Sequence, residues 1–305
     1  MYFLEKDEVF ILNAINSISS YLKEEFGEKT VKLAIDGGFT CPNRDGTISS
    51  GGCLFCSEGG GGDFASTIED QIELLSEKWP KAKYLAYFQN HTNTYAPVEV
   101  LREKYEAALN HPLIEGIVIA TRPDCLGDDV LDLLEELNQK HFMWVELGLQ
   151  TMHEETAALI NRGYRLPVYE RAMAELKKRG IKTVVHLILG LPGENKEMMT
   201  ESVKYVVSSG AWGMKLHLLN VVKGSRMEKA YPDYSFFESI EDYVNFVCDL
   251  LEIIPPEITI HRMTGDAPRK ILMTPEWSYK KRTILNGIHA ELKRRGSVQG
   301  CKCEK

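Results

Sequence analysis

Three cysteines, Cys41, Cys53 and Cys56, lie in one glycine-rich stretch of the 305-residue chain. Their spacing is C-x11-C-x2-C, and soft thiolates grouped in this way select iron–sulfur clusters or zinc. Three thiolates from one loop can hold three irons of a four-iron cluster, which leaves the fourth iron open for a small molecule. A structural zinc ion would need a fourth ligand, from Cys301, Cys303 or a histidine, and this alternative stays open here.

Short apolar segments that alternate with amphipathic segments must position these cysteines. Strands are predicted at Val31–Ile35, Tyr84–Phe88, Ile117–Ala120, Trp144–Leu149, Val184–Leu189 and Lys215–Leu219, with a later short strand at Ile258–His261. Helices are predicted at Glu8–Phe26, Thr67–Lys78, Pro97–Asn110, Leu126–Gln139, Val168–Arg179, Glu197–Ser209 and Ser239–Ile254. Continuous apolar strands in successive βα units are typical of a parallel sheet. We therefore predict an α/β protein with a partial (β/α)6 TIM-type barrel, and an open sheet is the alternative.

The same pattern divides the chain into three segments. Residues 1–29 are predicted to form an N-terminal helix, residues 30–225 the (β/α)6 core, and residues 226–305 a C-terminal extension packed on the barrel. The extension ends in a basic tail, in which Cys301 and Cys303 are expected to be frayed.

Polar residues follow the predicted strands, where βα barrels carry their chemistry. The candidates for the substrate side are His91 and Tyr95 after the second strand, Arg122, Asp124 and Cys125 after the third, and His217 on the sixth. The pair Arg122 and Asp124 also suits an ion pair that stabilises a turn, and Cys125 also suits an ordinary buried thiol.

The composition, with 44% hydrophobic and 26% charged residues, is that of an ordinary soluble enzyme. The N-terminal segment has acidic residues inside its apolar run and lacks a small-residue cleavage site, so it does not resemble a signal peptide. No apolar stretch approaches the roughly 20 residues of a membrane span. Seven unevenly spaced cysteines do not suggest a disulfide framework. We therefore expect a cytoplasmic protein with no membrane association.

The net charge of −8 is distributed unevenly along the chain. Residues 269–305 contain ten Lys or Arg and three Asp or Glu, a balance of +7, so residues 1–268 carry −15. The tail cations are grouped as Lys280, Lys281 and Arg282, and as Lys293, Arg294 and Arg295. Either these groups are a solvated helix face, or they are an electrostatic footprint for a polyanion such as RNA.

The cysteine loop, which follows the first strand and ends in CLFC, resembles that of the radical S-adenosylmethionine (radical SAM) superfamily. The long gap between its first two cysteines, with the motifs CPNRDGT and GGCLFC, is similar to the loop of the YhcC/YtqA branch. The likeness continues through YFQNHTNTYAP, TRPDCL, ELGLQT, INRGY, HLILGLPGE and PEWSYKKRTILNGI. It implies a [4Fe-4S] cluster whose open iron binds SAM, and one-electron cleavage of SAM to a 5′-deoxyadenosyl radical.

The resemblance, to coproporphyrinogen oxidases and elongator catalytic subunits in particular, also implies roles for residues around SAM. Backbone groups of Gln89 and Asn90 would bind its amino group, with Glu146 nearby, and those of Val221 and Val222 would bind the adenine. Gln150 would bind the ribose and Arg162 the carboxylate of SAM. His186 would reach the ribose or be an ordinary core histidine, and Phe55 could cover the cluster or stack on the adenine.

For the substrate, the resemblance implies tRNA, whose wobble uridine would change from 5-carboxymethylaminomethyluridine to 5-aminomethyluridine. A reducing partner such as flavodoxin or ferredoxin is implied as well. Two alternatives remain at this point: a radical SAM enzyme that acts on a small molecule or tetrapyrrole, and a non-enzymatic zinc-binding protein.

Overall fold

A computed structural model describes residues 14–303. Its strands are β1 (Thr30–Ile35), β2 (Lys83–Phe88), β3 (Ile114–Thr121), β4 (Phe142–Gln150), β5 (Thr183–Leu189), β6 (Gly213–Leu218), β7 (Val221–Val222), β8 (Thr259–Arg262) and β9 (Leu272–Thr274). The main sheet is parallel and has seven strands in the order β1-β2-β3-β4-β5-β6-β8. Strands β7 and β9 form a separate antiparallel pair. The main sheet curls into a half-barrel, which confirms the predicted partial barrel.

Helices connect these strands and cover the outer face of the sheet. They are α1 (Ile18–Phe26), α2 (Ile68–Ser76), α3 (Val98–Leu109), α4 (Asp128–Lys140), α5 (Glu154–Leu159), α6 (Leu166–Lys178), α7 (Lys196–Ser208), α8 (Arg226–Ala230), α9 (Ile240–Ile253) and α10 (Lys281–Arg295), with short 3-10 turns at Pro123–Cys125 and Glu276–Tyr279. No helix within residues 14–303 is long and apolar enough to cross a bilayer.

The strand register separates an outer apolar core from a smaller inner one. Tyr87, Val118 and Trp144 are neighbours on β2, β3 and β4, and they belong to the inner cluster. Leu22 of α1 joins this cluster, and α1 contacts both edge strands, β1 and β8. The inner core therefore supports the strand ends, where the polar residues lie.

The N-terminal helix is shorter than predicted. It begins at Ile18 because the Ser17 hydroxyl accepts the backbone N–H of Ser20 and caps the helix. Ser17 also forms a parallel bridge with Ile260 of β8, an extended conformation that is incompatible with a helix continuing through it. The predicted continuous helix Glu8–Phe26 is therefore wrong at residues 15–17, whereas Ala14 is helical and residues 8–13 lie outside the described residues.

The C-terminal tail is packed, so the prediction that it frays is wrong. The Gln299 side-chain amide donates to the carbonyls of Pro255 and Ile258, both at 2.8 Å, and its oxygen accepts the backbone N–H of Asn16 at 2.9 Å. The thiol of Cys303 contacts the carbonyl of Ile253 at 3.1 Å. Gln299 thus pairs with backbone groups of the loop after α9 and of the N-terminal segment.

Candidate active site

The cysteine loop between β1 and α2 is fixed against the segment that follows α5. The side-chain amide of Asn43 donates to the carbonyls of Asn161 and Arg162, at 2.6 and 3.2 Å, and lies 3.4 Å from the sulfur of Cys53. The side chain of Asn161 donates in return to the carbonyl of Gly52 at 3.0 Å. The motif INRGY therefore positions the cysteines, and Asn43 is a positioning residue that the sequence analysis missed.

All three thiols line a cavity of about 270 Å³ at the carboxyl ends of the strands. Burial raises the pKa of the Cys53 thiol to about 12, although Arg122 opposes this effect, and burial also raises the pKa of Cys56. Within residues 14–303, no group of three or more His, Cys, Asp or Glu is arranged to hold a single metal ion. In a cluster each thiolate binds its own iron, whose charge favours the deprotonated sulfur.

The cavity brings together most of the predicted site residues. Those lining it besides the cysteines are Phe55, Gln89, His91, Arg122, Glu146, Gln150, Arg162, His186, His217 and Val222. Five others are not among the lining residues: Asn90, Tyr95, Asp124, Cys125 and Val221. Tyr95, Asp124 and Cys125 instead line a second cavity. Burial raises the pKa of Cys125 to about 12, as expected for an inert thiol at neutral pH.

The end of β2 packs closely on the glycines of the cysteine loop. The side-chain amide of Gln89 donates to the carbonyl of Gly61 at 2.9 Å, and the backbone N–H of His91 donates to the carbonyl of Gly60 at 3.1 Å. A Cβ atom at Gly60 would lie 2.5 Å from Nδ1 of His91, so this close approach requires glycine. Asn90 Oδ1, which packs against Gly62, and His91 Nδ1, whose residue lines the cavity, have no hydrogen-bond partner within the described chain.

The end of β4 is strained at Gln150, whose φ of 70° is in the left-handed region. A register shift between Gly148 and Gln150 accompanies this conformation. Arg162, which is 1% exposed, stabilises the turn by donating to the carbonyls of Leu149 and Thr151 at 3.2 and 2.6 Å. Most of its guanidinium is thus occupied by the chain's own backbone, and pairing with the carboxylate of SAM stays a prediction.

Arg122 lies beside the cysteine loop. Its guanidinium donates to both carboxylate oxygens of Asp124, at 2.9 and 2.7 Å, and stacks 5.2 Å from the ring centre of Tyr164. Burial lowers its pKa, but Asp124 and, more weakly, the sulfurs of Cys53 and Cys41 raise it above its usual range. The pair therefore stabilises a turn, as one of the two interpretations predicted, and places a cation near the thiols, while its role toward the substrate stays a prediction.

Glu146 is the centre of a buried polar network inside the half-barrel. Its carboxylate contacts Lys32 at 3.3 Å, Tyr87 at 2.6 Å, Trp144 at 3.1 Å, His186 at 2.9 Å and Lys215. Burial alone would raise the pKa of Glu146, but Lys215 and Lys32 lower it well below its usual range. Neither lysine was predicted as a site residue. Each is the one charged residue inside an apolar segment, VKLAI or GMKLHL, and that pattern could have indicated an inward-facing charge.

A second ion-paired group adjoins this network from β8 and the loop after it. Arg262 contacts Asp266 at 2.6 Å, and both residues line the cavity. Lys281, at the start of α10, contacts the same carboxylate. On β6 the ring of His217 lies 5.0 Å from that of His186. The extension therefore supplies part of the cavity wall, which sequence reasoning did not predict.

The segment proposed to bind adenine pairs with the extension. Val221 lies opposite Thr274 of β9, and Val222 lies opposite Leu272. The carbonyl of Val222 accepts the backbone N–H and the hydroxyl of Ser225, at 3.2 and 2.7 Å. This pairing holds the segment in place, while its binding to adenine stays a prediction.

We predict that His186 makes the stability of the protein pH dependent. Burial and Lys215 lower the pKa of His186 from 6.5 to about 4. Between these two values the unfolded chain therefore binds more protons than the folded chain. The contribution of His186 to the free energy of unfolding is complete above pH 6.5 and is lost as the pH falls towards 4. His186→Gln should reduce the slope of unfolding free energy against pH by up to about 1.4 kcal/mol per unit in this window. Urea unfolding at several pH values measures this slope, and an unchanged slope would contradict the assignment.

Comparison with known proteins connects this geometry to a family. The sequence model of the radical SAM superfamily matches residues 43–206, and the model of the Radical_SAM C-terminal domain matches residues 211–294. The chain belongs to the radical SAM superfamily. It is 50% identical to the uncharacterized protein YtqA of Bacillus subtilis, over 93% of this chain and 91% of that protein. It is 40% identical to protein YhcC of Escherichia coli, over 94% of both chains.

More distant relatives share the radical SAM core. The chain is 25% identical to a protein named tRNA uridine(34) acetyltransferase from Dehalococcoides mccartyi, over 62% of this chain and 40% of that protein. Among solved structures, archaeal Elp3 from Methanocaldococcus infernus has a TM-score of 0.66 at 18% identity, covering 88% of this chain and 64% of that chain. This structural likeness shows the shared fold.

Radical SAM enzymes use a [4Fe-4S] cluster and SAM, and the cavity fits both groups. Three thiols from one loop match a cluster with one open iron, and unpaired polar atoms of Asn90 and His91 adjoin that loop. Cys301 is exposed and Cys303 packs against α9, so neither lies with the three thiols at the cavity. As a member of the radical SAM superfamily the chain is an enzyme that uses SAM, and the alternative of a non-enzymatic zinc protein is therefore wrong.

Proposed function

We propose that this radical SAM enzyme modifies tRNA, converting 5-carboxymethylaminomethyluridine at the wobble position to 5-aminomethyluridine. The observation that carries the proposal is the similarity of the radical SAM core to a protein named tRNA uridine(34) acetyltransferase. The near full-length match to YtqA and YhcC supports the branch assignment without indicating a substrate.

The position of the cavity constrains how an RNA substrate would be bound. The cavity lies inside the half-barrel at the carboxyl ends of the strands, where a base stacked within an RNA loop would not reach. The target uridine would therefore have to leave its stack and enter alone, as in other enzymes that act on a base. Phe55 and Val222, which line the cavity, offer apolar contact surface for a base or for adenine.

The cations of α10 differ in their suitability for RNA. Lys281 contacts Asp266 of the cavity wall, so Lys280 and Arg282, which are exposed, lie near the cavity. Arg295 instead pairs with Asp249 at 2.6 Å. About 20 Å of helix separates the two ends of α10. We therefore propose that Lys280 and Arg282 contact tRNA phosphates near the cavity.

In the proposed reaction the chain's own residues bind and orient. If bound in the cavity, the cluster and SAM would supply a two-electron oxidation of the carbon between the amine and the carboxylate, with SAM reduced to 5′-deoxyadenosine and methionine and the second electron returned to the cluster. Water would then hydrolyse the resulting imine to the primary amine and glyoxylate. Cys41, Cys53 and Cys56 would hold the cluster, and Gln150 would bind the ribose of SAM. The buried network around Glu146 closes the inner side of the cavity and limits access of water. We propose flavodoxin or ferredoxin as the reductant and the cytoplasm as the compartment.

Nucleoside analysis of total tRNA from a strain that lacks this gene tests the proposal. We expect 5-carboxymethylaminomethyluridine to accumulate and 5-aminomethyluridine and its derivatives to disappear. Wild-type protein should restore the profile and Cys53→Ala should not, because this variant lacks a cluster ligand. An unchanged wobble-uridine profile would contradict the tRNA proposal.

A further inference from the structure

One wall of the cavity carries cationic and imidazole side chains on three adjacent strands. His186, Lys215 and Arg262 are neighbours in the register of β5, β6 and β8, and all three line the cavity. His217 lies two residues farther along β6, and within residues 14–303 its Nε2 is buried and has no hydrogen-bond partner. The wall therefore holds an imidazole nitrogen that a ligand can satisfy, close to two basic side chains.

The ion pairs behind this wall leave an excess of positive charge. They join Lys32 and Lys215 to Glu146, and Arg262 and Lys281 to Asp266. Four basic side chains thus share two carboxylates. Burial lowers the pKa of Lys215 well below its usual range, against the attraction of Glu146. Even with Lys215 neutral, three cations face two carboxylates, and an anion entering the cavity would restore the balance.

We infer that this wall binds the carboxylate of the substrate, through Arg262 and His217 with Lys215 beside them. The inference rests on the proposed function, in which the substrate side chain carries a carboxylate that the product lacks. A guanidinium and an imidazole N–H are suitable donors for a carboxylate. SAM also carries a carboxylate. Three other arginines, Arg44, Arg122 and Arg162, line the cavity at the cysteine loop and the end of β4, where they could pair with that carboxylate instead. Recognition of the substrate anion would make the enzyme select its substrate over its product.

Equilibrium dialysis with the anaerobically reconstituted full-length protein, SAM and no reductant tests this inference without turnover. The probes are the nucleosides 5-carboxymethylaminomethyluridine and 5-aminomethyluridine. Wild-type protein should bind the carboxylated nucleoside at least about tenfold more tightly, the effect of one charge-assisted contact. Arg262→Gln should abolish this preference and leave SAM binding unchanged, and Arg262→Lys should retain part of it. Arg171→Gln, an exposed arginine 68% accessible at its side chain, is the matched control.

A second pair of probes, N-benzylglycine and benzylamine, separates the carboxylate site from the tRNA proposal because neither contains uridine. If tRNA is not the substrate, wild-type protein should still prefer N-benzylglycine and Arg262→Gln should lose that preference. Full preference in Arg262→Gln for either carboxylated probe would overturn the inference. A parallel loss of SAM binding would also overturn it, since the anion bound at the wall would then be that of SAM.

Discussion

Cys53→Ala is expected to abolish cluster assembly and SAM cleavage. Cys53 is one of three thiols that line the cavity, so the variant would hold a cluster by two thiolates only. After anaerobic reconstitution, wild-type protein should hold about four irons per chain. The variant should hold markedly less iron and release no 5′-deoxyadenosine above background when a reductant is added. Iron and sulfide analysis with chromatography of the nucleoside product measures both effects.

Cys301→Ala is the matched control, because it also removes one thiol but from the exposed tail. It should retain wild-type iron content and SAM cleavage. The site assignment would fail if Cys53→Ala retained full iron content, or if Cys301→Ala lost as much iron as Cys53→Ala. Circular dichroism of both variants distinguishes loss of a ligand from loss of the fold.

Glu146→Gln is expected to destabilise the protein by about 3–5 kcal/mol, because it leaves buried cations without their carboxylate. The side chain of Lys215 is 1% exposed and that of Glu146 is 0% exposed, so water cannot replace the lost charge. Urea unfolding at pH 7 measures the change. Glu136→Gln, which removes a carboxylate on the exposed surface of α4, should have little effect by comparison.

A double variant separates loss of charge pairing from loss of packing. Glu146→Gln with Lys215→Met removes both partners, so it should recover part of the stability lost in Glu146→Gln alone. The two side chains would be energetically independent if adding Lys215→Met lowered the free energy of unfolding of Glu146→Gln by as much as Lys215→Met lowers that of the wild-type protein. That result would contradict the network described here.

Much of the fold could be predicted because most positions in each strand of the barrel are apolar. The predicted segment Val184–Leu189, for example, differs from β5 by one residue. The short strand at Ile258–His261 was also predicted, but its pairing with β6 was not. Periodicity records burial, not the identity of a neighbouring strand, so the seventh strand of the sheet became apparent only in the structure.

The site was predictable where its residues lie in one loop and obscure where they are distant in sequence. Cys41, Cys53 and Cys56 share a stretch whose spacing is informative by itself. Lys215 and Arg262 are 47 residues apart, and only the parallel register makes them neighbours. Each is an isolated charge that resembles an ordinary surface residue until the strand is known to face inward.

The most direct test of the central claim is one anaerobic incubation of reconstituted protein, SAM and a reductant with tRNA that carries 5-carboxymethylaminomethyluridine. Mass spectrometry of the digested tRNA and quantification of 5′-deoxyadenosine follow both products. We expect 5-aminomethyluridine to appear together with 5′-deoxyadenosine, and neither to form with Cys53→Ala. Cleavage of SAM with no change in the tRNA would contradict the proposed substrate.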